Sequence, residues 1–161
     1  MSPSPDTTSS AGSATDRLER QIVLDATLSR VWRAITEVSQ FNQWFGVNLT
    51  TPFTPGGESS GRISIRNYEH LTLHIWIEAM DPERLFSFRW HPNAIDPNVD
   101  YQSEPTTLVT FTIEPVESGT RLTIVESGFD ALPEPRRVPA FTGNGKGWSS
   151  QLENIRKFLV S

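Results

Sequence analysis

The chain has 161 residues, with 14 Lys+Arg against 19 Asp+Glu and a formal charge of -5; with no basic run present, this excludes a partner held by its phosphate backbone. Cysteine is absent, which excludes disulfide staples, thiolate metal sites and a cysteine nucleophile. Hydrophobic residues make up only 36%, yet 9 Phe and 5 Trp supply large pieces of core, and no apolar run is long enough to span a membrane.

The first fifteen residues hold eight Ser or Thr and two Pro, too little apolar surface to offset the entropy of ordering. They predict a disordered tail over residues 1–16 and a single domain over 17–161. The tail has neither the basic start nor the apolar stretch of a secretory leader, so the expected location is cytoplasmic. Leu18 to Leu24 alternates and predicts a first strand. Thr27 or Asp25 can cap a helix beginning near Leu28, in which Val31, Trp32 and Ile35 recur at helical spacing. A second short helical segment, Val38 to Trp44, presents Phe41, Trp44 and the adjoining Phe45. The run Thr51-Pro52-Phe53-Thr54-Pro55-Gly56-Gly57 breaks any helix.

From there to residue 127 the period is two. Gly61 to Tyr68 predicts a strand with Ile63 and Ile65 on one face. Leu71, Leu73, Ile75 and Ile77 share a face of the next strand, opposite His74, Trp76 and Glu78. Phe86, Phe88 and Trp90 alternate after a turn at Asp81-Pro82-Glu83, and residues 91–105 read as a loop. Val109, Phe111 and Ile113 alternate, Glu117-Ser118-Gly119-Thr120 turns, and Leu122, Ile124 and Glu126 share the following face. Connections this short make the sheet antiparallel. At the end, Trp148, Leu152, Ile155 and Leu159 fall at helical spacing, approached through a flexible segment containing Gly143, Gly145 and Gly147. The fold class is therefore α+β, with a long C-terminal helix covering a curved sheet.

Several short motifs fail on context. Gly57-Glu58-Ser59-Ser60-Gly61 has the spacing of a nucleophile elbow, but a strand follows it where the elbow needs a helix. His70 and His74 are four apart in a predicted strand, about 13 Å, too far for one metal ion. Asp96-Pro97-Asn98-Val99-Asp100 begins like a calcium loop, but Tyr101 and Thr107 stand where that loop needs Gly and Glu. Gly143 to Gly147 is not a phosphate loop, because no strand leads into it. Neither a metal nor a cofactor is expected.

Taken together, the residues resemble a known family. Ile22-Val23-Leu24-Asp25-Ala26-Thr27 and Val31-Trp32-Arg33-Ala34-Ile35-Thr36 are similar to the opening of the activator-of-Hsp90-ATPase-like branch of the START/Bet v 1-like superfamily. Trp44-Phe45, the Pro55-Gly56-Gly57 turn, Arg84 to Trp90, Gly119 to Ile124, Glu126 to Phe129 and Gly147-Trp148 continue the match in order. The resemblance implies a helix-grip fold, with two short helices after the first strand and commonly an apolar cavity between sheet and C-terminal helix. Thr27 stands where the family usually has Pro, and Glu126 where many relatives carry another residue.

Three functions follow. The leading one is a pocket for a hydrophobic small molecule, lined by Trp44, Phe45, Phe86, Phe88, Trp90, Phe111, Glu126, Trp148 and Leu152. The second, implied by the resemblance alone, is contact with an Hsp90-type chaperone. Eukaryotic members that stimulate the ATPase usually bring an additional N-terminal domain, where this chain has a short tail. The third is a cyclase- or hydrolase-like enzyme using Glu126 as acid or base, since superfamily relatives include such enzymes. Trp76, on the outward face of its strand, allows a homodimer as well as a monomer.

Overall fold

The computed structural model describes residues 16–96 and 98–160. The tail assigned to residues 1–16 lies outside the described residues apart from Asp16, whose carbonyl accepts from the Gly128 and Phe129 amides at 3.0 and 3.3 Å.

The strands are β1 (Arg17–Leu24), β2 (Val47–Leu49), β3 (Glu58–Ile63), β4 (Thr72–Asp81), β5 (Leu85–Trp90), β6 (Thr107–Val116) and β7 (Gly119–Ser127). They form one curved, open sheet in the order β1-β7-β6-β5-β4-β3-β2, and every pairing is antiparallel. The helices are α1 (Leu28–Thr36), α2 (Val38–Phe45) and α3 (Glu134–Val160), so two short helices follow the first strand and a long one closes the chain. This is the α+β helix-grip architecture expected from the sequence. No helix among the described residues is long and apolar enough to cross a membrane.

Local chemistry accounts for the joints. Thr27 caps α1, its side chain accepting from the Arg30 amide at 3.2 Å. Gly46 ends α2 with φ of 89°, a left-handed turn that favours glycine. At the β6–β7 hairpin Gly119 has φ of 149°, and a Cβ there would sit 2.1 Å from the Leu24 carbonyl oxygen. The alternation of β5, β6 and β7 sends Phe86, Phe88, Phe111, Leu122 and Ile124 inward, all fully buried. There they meet α1 and α2, where Phe41 packs against Trp44, Phe45 and Phe53.

Two expectations are corrected. The strand expected over Gly61–Tyr68 runs instead over Glu58–Ile63, and Ile65 and Tyr68 lie in a turn at the surface. Asn67 takes φ of 76° in that turn, which ends the pleat, and the last bonds of the strand run from Ile63 to the Leu71 carbonyl and from Ser64 to the Gly46 carbonyl. The glycines 143, 145 and 147 are not an approach to α3 but lie inside it, in a 27-residue helix that also contains Pro139. Tertiary packing overrides their weak propensity. A Cβ on Gly145 would stand 2.8 Å from Nη2 of Arg20, whose Nε donates to the Ser149 hydroxyl at 3.1 Å. Arg20 thus points inward from β1 and crosses the helix where the helix has no side chain.

Glycine positions in the two layers therefore respond oppositely to substitution. Gly147 is exposed in mid-helix with nothing within 4 Å of an added Cβ, so Gly147→Ala is expected to stabilise by about 1 kcal/mol. An added Cβ at Gly61 would lie 1.9 Å from the Asn48 carbonyl oxygen, so Gly61→Ala is expected to lose about 1–3 kcal/mol. Urea denaturation of the two variants checks both signs.

Candidate functional site

Glu126 is the last inward-facing residue of β7 and is fully buried. Its carboxylate collects four donors from three elements. Oε2 accepts from Trp90 Nε1 at 2.8 Å and from the Thr107 hydroxyl at 2.5 Å. Oε1 accepts from Trp148 Nε1 at 2.8 Å, and Asn144 Nδ2 bridges both oxygens at 3.0 and 3.1 Å. Indole N–H and amide NH₂ groups can only donate, so both oxygens of Glu126 act as acceptors toward Trp90, Trp148 and Asn144. β5 supplies Trp90, β6 supplies Thr107, and α3 supplies Asn144 and Trp148 one turn apart on the same face.

The two indoles that Glu126 holds are stacked, with ring centres 5.4 Å apart and planes 24° apart. Phe45 meets both edge-on, at 6.0 and 6.3 Å. These three rings form the inner wall of a cavity of about 560 Å³. Ile63 and Leu73 line it from the sheet, Gly147 and Gln151 from α3, and Ile95, Val99 and Tyr101 from the loop after β5. Seven large hydrophobic side chains are exposed among the described residues, and four of them (Ile65, Tyr68, Ile95 and Val99) line this cavity. Exposed apolar area gathered at one mouth is the mark of a surface that meets something.

The loop forming the outer wall is held from α3. Arg136 donates to the Pro92 carbonyl at 2.7 Å and to Glu104 Oε1 at 3.0 Å, and its guanidinium lies 4.7 Å from the Tyr101 ring centre. Asp100 accepts from the Gln102 amide and Tyr101 Oη from the Asp96 amide, so the loop is built rather than loose.

Of the residues expected to line a pocket, Phe45, Trp90 and Trp148 lie on this cavity. Trp44 turns away, its Nε1 donating to the Ala34 carbonyl at 2.8 Å. Phe86, Phe88 and Phe111 are fully buried in the aromatic core behind the wall, and Leu152 is buried beneath α3. Glu126 lies one layer behind the wall, reached through three lining residues. Sequence reasoning missed Asn144, and it missed the rim residues Ile65, Tyr68, Ile95 and Val99. Their one signal was large apolar side chains inside otherwise polar loops.

Beside the cavity, which both imidazoles help to line, His74 stacks on Trp76 with ring centres 4.2 Å apart, and His91 meets Trp76 edge-on at 5.6 Å. This accounts for an outward Trp76 without a second copy of the chain. His74 Nε2 lies 3.3 Å from Glu58 Oε2, within ion-pair distance but off the hydrogen-bond direction, and His91 Nδ1 is buried without a hydrogen-bond partner. Burial holds the His91 imidazole below its ordinary value, against the opposing pull of Glu104 and the Pro105 carbonyl. Ser59, central to the apparent nucleophile elbow, is a buried strand residue that donates to the Thr51 carbonyl at 2.9 Å. Among the described residues no group of three His, Cys, Asp or Glu is placed to hold a metal ion.

Two outcomes follow from these contacts. Glu126→Ala strands three buried donors and the half-buried Asn144 amide and is expected to cost about 3–5 kcal/mol, and Glu126→Gln about 1–3 kcal/mol, in urea denaturation. An unchanged midpoint for Glu126→Gln would mean that the donors have other partners. The folded state disfavours the His91 imidazolium, so the unfolded chain takes up that proton first. The contribution is present above the ordinary value of 6.5 and lost as pH falls below it. The thermal midpoint is therefore expected to fall less in His91→Gln than in wild type between about pH 7.5 and about pH 5.5.

The fold has relatives among solved structures. Protein MLL2253 from Mesorhizobium loti is 23% identical with a TM-score of 0.70, over 89% of this chain and 96% of that one. Protein NE0264 from Nitrosomonas europaea is 20% identical with a TM-score of 0.71, over 91% and 96%. The Aha1 dimer from Colwellia psychrerythraea is 14% identical with a TM-score of 0.66, over 89% and 95%. At these identities the likeness concerns the fold. No curated protein matches the sequence at a significant level. The sequence model of the Activator of Hsp90 ATPase homolog 1-like protein family matches residues 25–160, and the chain belongs to that family.

Proposed function

We propose that this protein binds a small, largely apolar molecule in the cavity between the middle of α3, the β4 end of the sheet and the loop after β5. The observation that carries the reading is the cavity's volume of about 560 Å³ together with the exposed apolar side chains gathered at its mouth. That volume lies within the usual range for small-molecule sites, about 300–1,000 Å³. Apolar walls with a few polar groups, here Thr72, Asn144 and Gln151, give such a site both affinity and orientation.

The arrangement of Glu126 favours binding over catalysis. Both of its oxygens are occupied by donors from the protein, so moving a proton to or from a ligand requires first breaking a buried hydrogen bond. Its work in this reading is to hold two indoles in place. Contact with an Hsp90-type chaperone is supported by the family's description alone.

Titration with the neutral apolar dye N-phenyl-1-naphthylamine tests the proposal. Dye emission is expected to rise saturably with wild type. Gly147→Phe directs a ring toward the open space beside Gly147 and is expected to weaken binding at least tenfold while the variant stays folded. Equal dye binding by the two proteins would place the dye elsewhere and count against this cavity.

A further inference from the structure

The charges around the cavity narrow the chemistry of its occupant, on the reading that the cavity binds a small molecule. Among the described residues no lysine or arginine lines it, and its one carboxylate is Asp100. Arg136, which braces the loop of the outer wall, is engaged by Glu104 and by the backbone of that loop. Of the two imidazoles on the lining, His91 is held toward its neutral form by burial, and His74 sits beside the Glu58 carboxylate. An anionic headgroup would therefore enter a largely apolar space whose described lining offers no lysine or arginine to meet it, at a large desolvation cost.

The inner wall has the opposite preference. Trp90 and Trp148 line the cavity while both N–H groups donate to the Glu126 carboxylate, at 2.8 Å each. All four of its hydrogen-bond donors are uncharged side chains, so no bonded cation cancels its charge. An N–H bonded to a carboxylate leaves the indole richer in electrons, and the buried charge behind the rings adds to the negative potential of their faces. Aromatic faces of this kind attract organic cations, Trp most strongly. Phe45 beside them and Tyr68 and Tyr101 nearer the mouth extend the aromatic lining.

We infer that the cavity selects an organic ammonium: a cationic nitrogen carried on an apolar body, with the cation against the Trp90–Trp148 wall. Phenyltrimethylammonium and tert-butylbenzene have nearly the same shape and differ in charge, so isothermal titration of the wild-type protein with each isolates the charge. The ammonium is expected to bind at least tenfold more tightly than tert-butylbenzene, with benzoate weakest. Its affinity is expected to drop severalfold in Asp100→Asn, and tert-butylbenzene binding to stay unchanged in that variant. If tert-butylbenzene and N-phenyl-1-naphthylamine bind and phenyltrimethylammonium binds no more tightly, the ammonium inference falls and the apolar-ligand reading stands. If none of the three binds, both fall.

Discussion

A carboxylate removed from water must find donors, and how Glu126 meets that demand organises much of this molecule. Its four partners come from β5, β6 and two positions of α3, so one side chain joins the concave face of the sheet to the helix laid across it. Apolar packing between these layers is non-directional and tolerates sliding. Hydrogen bonds to one buried acceptor do not, because each donor lost leaves a costly unmet group. The carboxylate therefore fixes the rotation and register of α3 on the sheet, and with them the pose of two indole rings. A cavity bounded by rings held this way keeps its shape when empty, which lowers the cost of filling it.

The second constraint is steric. α3 crosses β1 where Arg20 points inward, and Gly145 is the gap that lets the guanidinium pass. Gly147, two residues on, faces the cavity and gives it room along the helix. The same run of small residues thus serves close approach on one side of the helix and open space on the other. A helix made of better formers would hold itself together more strongly and leave space for neither.

Much of this was legible in the sequence, and the rest failed for identifiable reasons. Period-two alternation placed the core faces of β4 to β7, including the inward direction of Glu126, because those strands are long and half-buried. The Thr27 cap and the Gly119 turn rest on local chemistry, which sequence carries directly. The first half of α3 did not show, since Pro139 and three glycines argue against helix, and tertiary contacts of Arg136, Ala140, Phe141 and Asn144 outweigh that preference. The alternation also identified inward aromatics without separating those that fill the core, such as Phe86 and Phe111, from those that face a void. That distinction depends on where the layers diverge, near the end of β5, and no periodicity encodes it. Asn144 was hidden for the same reason, its partner being eighteen positions away on another element.

The two lips of the cavity are built unequally. The loop after β5 is strutted by Arg136 to the first turns of α3, the helix that Glu126 also anchors, so that lip moves only if the helix moves with it. The opposite lip, residues 64–71, is held by short turns of its own, by Arg62 bonding to the Glu69 carbonyl and by the Ser64–Gly46 bond. It carries Ile65 and Tyr68 at the surface. One lip is therefore braced to a long helix, and the other is held by local turns and the neighbouring strand. The side of Ile65 and Tyr68 thus stands apart from the aromatic wall, which Glu126 and α3 hold in place.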